Sequence, residues 1–258
     1  MERITSVKNP VVRGLRELKD RRAREETGRI LVEGEVMIRE ALGCGLQIFD
    51  LLAVERCEDF AREMAARGAR AFSVPENVLE AVCETRTPQG VCASFSQPRR
   101  LTARELPDVV VALDGVQDPG NVGTIWRTAD AAGIQALVLG EGSADPMSPK
   151  VLRAAMGSGF RLPFAQTRDL PGLLRDLAAK GYAVIASDLS GQDFYARPDP
   201  GRKLALIIGN EARGISDEVR ACATMRVRLP MRGGAESLNA AIAAGILMYD
   251  LMKEYCAK

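Results

Sequence analysis

Four apolar runs in the second half of the chain, VVVALDGV, ALVLG, AVIASDL and LALIIGNE, constrain its fold more than any other feature. They are rich in β-branched residues and apolar at successive positions. Between them lie stretches of helical periodicity, NVGTIWRTADAAG, PKVLRAAMGSG and LPGLLRDLAAKG. A strand apolar on both faces must be covered on both, and alternation with helices achieves this in a parallel sheet. The expected class is therefore α/β with a mainly parallel sheet. Ligands of such sheets bind beyond the C-terminal strand ends. Chemistry is expected in the loops after Leu113, Leu139, Asp188 and Gly209.

The first half reads as a smaller α/β region. ILVEG, DLLAVE and VCASFS have strand character, whereas EVMIREALGCG and CEDFAREMAARG read as helices closed by glycine. Ahead of them, residues 13–29 hold seven Arg or Lys and four Asp or Glu, with Leu15 and Leu18 at helical spacing. This predicts a basic amphipathic helix, either a solvated, salt-bridged face or a nucleic-acid contact. QPRRLTARELP lacks apolar periodicity and reads as a linker. The expected domains are residues 1–97, a linker at 98–106, and residues 107–258.

Among 258 residues there is no His, which removes Ser-His-Asp and Cys-His hydrolysis and the usual His-rich catalytic zinc sites. No metal site is expected. The six Cys are scattered without a CxxC pair and read as reduced, mostly buried thiols. A charged N-terminus without a signal-peptide core, and no apolar run of spanning length, predict a cytoplasmic protein without a membrane partner. There is no GxGxxG opening a helix and no GxxxxGK[ST], so neither hydride transfer nor NTP hydrolysis is the leading chemistry.

Three segments are unusual for a plain α/β core. In LDGVQDPGNVGTIWRTADAAG a strand ending in Asp114 runs through a Gly/Pro loop into a helix, with Asn121 a candidate N-cap and Arg127 less than two turns in. In LIIGNEARGIS, Glu211 follows a buried strand, either as a site carboxylate or as a turn cap or Arg213 partner. In LPMRGGAESLNAAIAAGILMYDLMK, only Asn239 and Asp250 are polar between Leu238 and Met252. A helix apolar almost all round is either the centre of a monomer core or a subunit interface. Ser237 and Asn239 stand at its start, where free N–H groups can hold a ligand.

Together, NVGTIWRTADAAG, IIGNEARGIS and LPMRGGAESLNAAIAAGI resemble, in order, the three signature motifs of the SpoU/TrmH-type RNA ribose 2′-O-methyltransferases of the SPOUT superfamily. ITSVKNPVVRGLRELKDRRAR, RILVEGEVMIREAL and TRTPQGVCA resemble the ribosomal-protein-like RNA-binding domain that precedes the catalytic domain in many members. The resemblance implies a trefoil-knotted catalytic domain that pairs as a homodimer, S-adenosylmethionine as cofactor, and RNA as partner. It implies a catalytic set of Asn121, Arg127, Glu211, Ser237 and Asn239. Cofactor contacts would come from Leu139, Gly140, Gly209, Asn210, Leu229, Ser237 and Leu238. Arg153 is a lesser site candidate.

Methyl transfer requires the ribose hydroxyl to be oriented and relieved of its proton. Arg127 is the family's activating residue, but a guanidinium with a pKa above about 12 rarely yields its proton. It could clamp a phosphate and stabilise the alkoxide while Glu211 accepts the proton or orients Arg127; both assignments stay open here. RNA contacts are expected from Arg13, Arg16, Lys19, Arg21, Arg22, Arg24, Arg99 and Arg100, through backbone phosphates. With 5% aromatic residues, shape and backbone outrank base stacking. Ribosomal RNA is the expected substrate. Transfer RNA, or a noncatalytic RNA-binding or ribosome-assembly role on the same fold, are the alternatives, and a nucleotide-dependent enzyme of unrelated chemistry is a third.

Overall fold

Charge and apolar patterning divide the chain much as the structure does, with one exception in the middle. A computed structural model describes the backbone of residues 1–256 and the side chains of residues 1–253. It separates into two units, Met1–Pro98 with Asp145–Arg161, and Arg99–Ala144 with Leu162 onward. By packing, residues 145–161 group with the first unit, whereas the sequence reading places them within 107–258.

The first unit contains β1 (Glu2–Arg3), α1 (Pro10–Glu17), α2 (Arg21–Thr27), β2 (Arg29–Glu33), α3 (Glu35–Gly43), β3 (Ile48–Ala53), α4 (Glu58–Ala66), β4 (Arg70–Ser73), α5 (Glu76–Val82) and β5 (Val91–Ser96). Its sheet has the order β1-β4-β3-β5-β2. Pairing is parallel for β1–β4 and β3–β4 and antiparallel where β5 meets β2 and β3. Counting in chain order, α7 (Pro149–Ala155) and α8 (Ser158–Arg161) complete it, with α7 packed on β2. The short elements β1, β4 and α5 carry too few residues to announce themselves by periodicity.

The expected basic helix at 13–29 is two helices. Asn9 caps α1 and Pro10 opens it, and the chain breaks at Leu18 before Asp20 begins α2. Two of its cations hold the fold together. Arg24 is buried and donates to the carbonyl oxygens of Leu18 and Lys19 (both 2.6 Å) and to the Asp145 carboxylate. Lys19 Nζ donates to the carbonyls of Cys83 (2.9 Å) and Ala81 (3.3 Å). Neither presents its charge to RNA, so both leave the contact set. Arg13, Arg16, Arg21 and Arg22 are exposed, and all but Arg16 pair with a glutamate four residues on. Removing a charged partner from a buried pair is costly because the other charge stays desolvated. Arg24→Ala is expected to lower stability by about 3 kcal/mol, read by denaturant unfolding, whereas Arg22→Ala should change it by less than about 0.5 kcal/mol.

The second unit opens with the supposed linker, which is ordered. Leu101 packs into the core, Arg100 bridges to Phe164, and Arg99 pairs with Glu105 (3.0 Å). Then follow β6 (Val109–Asp114), α6 (Pro119–Ala132), β7 (Ala136–Leu139), β8 (Phe164–Gln166), α9 (Leu170–Ala179), β9 (Ala183–Asp193), β10 (Leu204–Gly209), α10 (Asp217–Arg220), β11 (Met225–Arg228) and α11 (Ala240–Cys256). The six-stranded sheet has the order β11-β9-β10-β6-β7-β8, and its strand pairs are parallel. β10 and β6 are central and almost wholly buried, the state their continuous apolar runs required. One face packs Leu173, Leu174 and Leu177 of α9 on Val110, Ala112, Ala205 and Ile207. α6 and α11 pack together, and α11 also packs on β10.

Two helix starts differ from expectation. Asp118, not Asn121, caps α6, accepting the Asn121 N–H (2.8 Å), with Pro119 in the first turn. Arg127 thus lies more than two turns in. α11 begins at Ala240, and Asn239 Oδ1 accepts the N–H groups of Ala241 (2.9 Å) and Ile242 (3.3 Å). Ala241, Ala244, Leu247, Met248 and Leu251 are buried, but Ile242 and Tyr249 are 56% and 55% exposed. The helix is therefore covered on one side of this single chain. Cys57, Cys83, Cys92 and Cys222 are buried free thiols, and the Cys256 side chain lies outside the described residues. Among the described residues no helix is long and apolar enough to cross a membrane, and no group of three His, Cys, Asp or Glu side chains could hold a metal.

Candidate active site

The loop after β10 is shaped by its own residues. Asn210 and Gly214 exchange backbone hydrogen bonds (both 2.9 Å), which folds residues 210–214 into a tight return. Asn210 Oδ1 accepts the N–H groups of Ala212 (3.0 Å) and Arg213 (3.1 Å), and its Nδ2 donates to the Gly115 carbonyl (2.7 Å). The loops after β10 and β6 are thereby tied together. Asp114 Oδ2 adds a second tie, accepting the Ser216 N–H (2.7 Å). Gly209 lies directly beneath the returning backbone. A Cβ there would stand 2.6 Å from the Gly214 carbonyl oxygen and closer still to the Ile215 nitrogen.

Glu211 projects from this loop into a set of donors. Its carboxylate accepts Asn121 Nδ2 (2.9 Å) and the backbone N–H groups of Asp118 (3.1 Å) and Gln117 (3.2 Å). Asn121 Oδ1 in turn accepts Asn239 Nδ2 (2.9 Å). Residues from the three sequence segments thus form one chain, Asn239 to Asn121 to Glu211. The polarity of the chain is fixed, because each amide donates onward and the carboxylate only accepts. Partial burial pushes the Glu211 carboxyl up, but the hydrogen bonds from Asn121, Gln117 and Asp118 outweigh it and leave it below the usual range.

A carboxyl lowered in the folded state adds stability above its unfolded value of about 4.3 and loses it as pH falls through the folded value. Thermal melts should therefore show this contribution constant from pH 8 to 5 and fading below about pH 4.3. Glu211→Gln should remove that part of the acid dependence.

Beside the chain opens a cavity of about 760 Å³, lined by residues of β9 and β11, by the end of β10 and the loop after it, and by the segment leading into α11. Of the expected residues, Gly209, Asn210, Glu211, Leu229, Ser237, Leu238 and Asn239 line it. Leu139 and Gly140 do not. Leu139 is buried, and Gly140 is packed against the Leu113 carbonyl and Leu170, where a Cβ would meet both at 2.9 Å. Arg127 is exposed and makes no hydrogen bond to this chain of side chains. Arg153 stands in the first unit, 4.0 Å from Glu33.

Sequence reasoning marked the segment after Asp188 as a loop, but it continues β9, and Asp188 itself and Arg220 went unnamed; both line the cavity and pair at 2.5 Å. Burial opposes ionisation of Asp188, but donors from Ser190 and Arg220 prevail and lower its pKa. Arg226 and Arg228 were missed as well. Their signal lay in MRVRLP, where two cations flank a buried Val227 at strand spacing.

Comparison with known proteins also divides the chain in two, with residues 145–161 inside the second part. Residues 108–249 match the SpoU rRNA Methylase family, and residues 9–93 match the MRM3-like substrate binding domain. The chain is 37% identical, over 97% of its length and 99% of the relative's, to the 23S rRNA (guanosine(2553)-2′-O)-methyltransferase RlmP of Bacillus subtilis strain 168. The AdoMet-bound rRNA methyltransferase from Sinorhizobium meliloti superposes with a TM-score of 0.85 at 35% identity, covering 98% of each chain. The SpoU methyltransferase AviRb from Streptomyces viridochromogenes, in complex with AdoMet, gives 0.83 at 28% identity, covering 97% of this chain and 99% of its own. The chain belongs to the SpoU rRNA methylase family.

Proposed function

We propose that the protein is an enzyme that transfers a methyl group from S-adenosylmethionine to a ribose 2′-hydroxyl of structured RNA, with ribosomal RNA as the substrate. The observation that carries this reading is the hydrogen-bonded chain Asn239–Asn121–Glu211, assembled from three distant segments at the wall of a cavity of about 760 Å³. That volume lies within the range of small-molecule cofactor sites. RlmP, named for 23S rRNA, supports ribosomal RNA over transfer RNA.

The donor set suits S-adenosylmethionine. Gly209 leaves main chain bare, Leu229 and Leu238 give apolar walls, and Ser237 gives a hydroxyl. When bound, the cofactor supplies a methyl group on a sulfonium. The residues of this chain do the rest. Asn210 holds the loops after β10 and β6 together and so fixes the cavity wall. Glu211, occupied by three N–H donors and held ionised, is a positioning residue for Asn121 and not a proton acceptor. Asn121 and Asn239 set the geometry on the cavity's ribose side. Arg127 is the catalytic cation, which stabilises the developing alkoxide as the proton leaves to water.

The second unit carries the family's trefoil knot. The protein pairs as a homodimer through the open side of α11, where Ile242, Ile246 and Tyr249 present apolar surface. The first unit binds RNA, with Arg13, Arg16, Arg21 and Arg22 facing the backbone, joined by Arg99 and Arg100 of the second unit. The protein works in the cytoplasm. The test is transfer of label from radiolabelled S-adenosylmethionine to unmodified ribosomal and transfer RNA. Label confined to ribosomal RNA, at a linkage made alkali-resistant by ribose methylation, supports the reading. Label in a base, or in transfer RNA alone, overturns it.

A further inference from the structure

β11 is the outermost strand of its sheet, paired to β9 alone. Along it exposed and buried residues alternate. Val227 is fully buried, so Arg226 and Arg228 on either side project together to the opposite face. Both line the cavity, as do Arg213 and Arg220. Arg220 is already engaged, with Asp188 (2.5 Å), with Asp217, and with the Ile215 carbonyl (2.9 Å). Among the described residues Arg226 and Arg228 have no carboxylate partner, whereas fifteen other arginines have one.

The cavity lining sets Arg213, Arg220, Arg226 and Arg228 against the carboxylates of Asp188 and Glu211, and this excess of positive charge favours an anion. S-adenosylmethionine brings two positive groups, the sulfonium and the ammonium, against one carboxylate, so it adds to the positive charge. The substrate RNA brings a phosphate on each side of every ribose. Arginine's planar fork matches phosphate oxygens two at a time, and phosphate contacts fix register without reading sequence.

We propose that Arg226 and Arg228 form a phosphate clamp that holds the RNA backbone at the cavity mouth and so sets the target ribose against the methyl donor. The inference rests on the RNA-methylation reading above and adds a substrate-positioning site to it. It also moves part of the RNA contact from the first unit, where Lys19 and Arg24 are engaged internally, to the edge of the catalytic sheet.

The test compares wild type, Arg226→Ala/Arg228→Ala, and the control Arg104→Ala, an exposed arginine of the same unit that does not line the cavity. The probe is an unmodified large-subunit ribosomal RNA transcript, followed by filter binding across a salt series and by methyl transfer. The double variant should bind roughly ten- to hundredfold more weakly. The slope of log affinity against log salt should be shallower by about 1.5, as two lost phosphate contacts require. KM for S-adenosylmethionine should stay within about twofold, and Arg226→Lys/Arg228→Lys should restore much of the slope because it keeps both charges.

An unchanged salt slope overturns the clamp. So does a raised KM for S-adenosylmethionine with RNA affinity intact, which would assign the arginines to the cofactor carboxylate. Filter binding reads the clamp without turnover. Failure of the wild type to transfer methyl would therefore strike the proposed function, while the slopes still judge the arginines.

Discussion

Gly209→Ala is expected to remove the cavity and with it most of the stability of the second unit. The added methyl would meet main chain on the returning loop, at 2.6 Å from the Gly214 oxygen, and main chain cannot swing aside as a side chain can. Gly209 also ends β10 in register with Asp114, so moving it pulls on the central strand pair. Gly214 is held by both of its hydrogen bonds to Asn210, which leaves the loop little room to retreat. Overpacking of this kind costs about 1–3 kcal/mol in an adaptable core. Here the displaced atoms are backbone, and a loss above about 4 kcal/mol is expected, in the range reserved for specific structural failure. Denaturant unfolding measures it, with cofactor-induced thermal shift as the second readout. Gly14→Ala is the contrast. It lies inside α1 with nothing within 4 Å of the new methyl, and should stabilise by about 0.5–1 kcal/mol. A Gly209→Ala protein as stable as wild type would mean that the loop moves freely.

Arg127→Ala is expected to lower methyl transfer about 10²- to 10³-fold while leaving the fold and cofactor binding in place. The side chain is exposed on α6 and makes no ion pair among the described residues, so its removal leaves no buried charge behind. The magnitude is that of losing one donor aimed at a developing negative charge. Arg127→Lys should recover only part of the loss, because an ammonium lacks the fork that spans two oxygens. Single-turnover rates separate this from an effect on binding. An Ala variant with unchanged kcat would place the alkoxide's stabilisation elsewhere, and the Asn121–Asn239 side of the site would be the first place to look.

The four parallel strands at the sheet's centre were legible because burial on both faces leaves its mark on every residue of VVVALD and LALIIG. The motif residues Asn121, Glu211 and Asn239 were legible only through resemblance. Nothing in local spacing says that residues 90 and 118 positions apart are joined by hydrogen bonds. Arg24 shows the opposite limit. In sequence it is one of several arginines in a basic run, and only the arrival of Asp145, far along the chain, makes it internal. Asn121 was mistaken for the cap because Asp118 stands ahead of a Pro-Gly pair that reads as loop. Proline in the first turn of a helix has no N–H to lose, and Asp118 performs the capping. The break at Leu18 was hidden because the charged run KDRRAREETGR carries no Gly or Pro near Leu18 to mark it.

The dispersed composition of the first unit has a consequence for synthesis. When Pro98 leaves the ribosome, β2 still lacks α7, which packs on it, and α8, which packs on α7. At about 5–20 residues per second, the nascent chain waits roughly 3–12 s with the binding surface for those helices uncovered. During that interval it must make β6, α6 and β7 of the other unit before it can finish the first. The two halves are therefore completed in alternation and not one after the other. An early stop between them would leave β2 without its α7 cover.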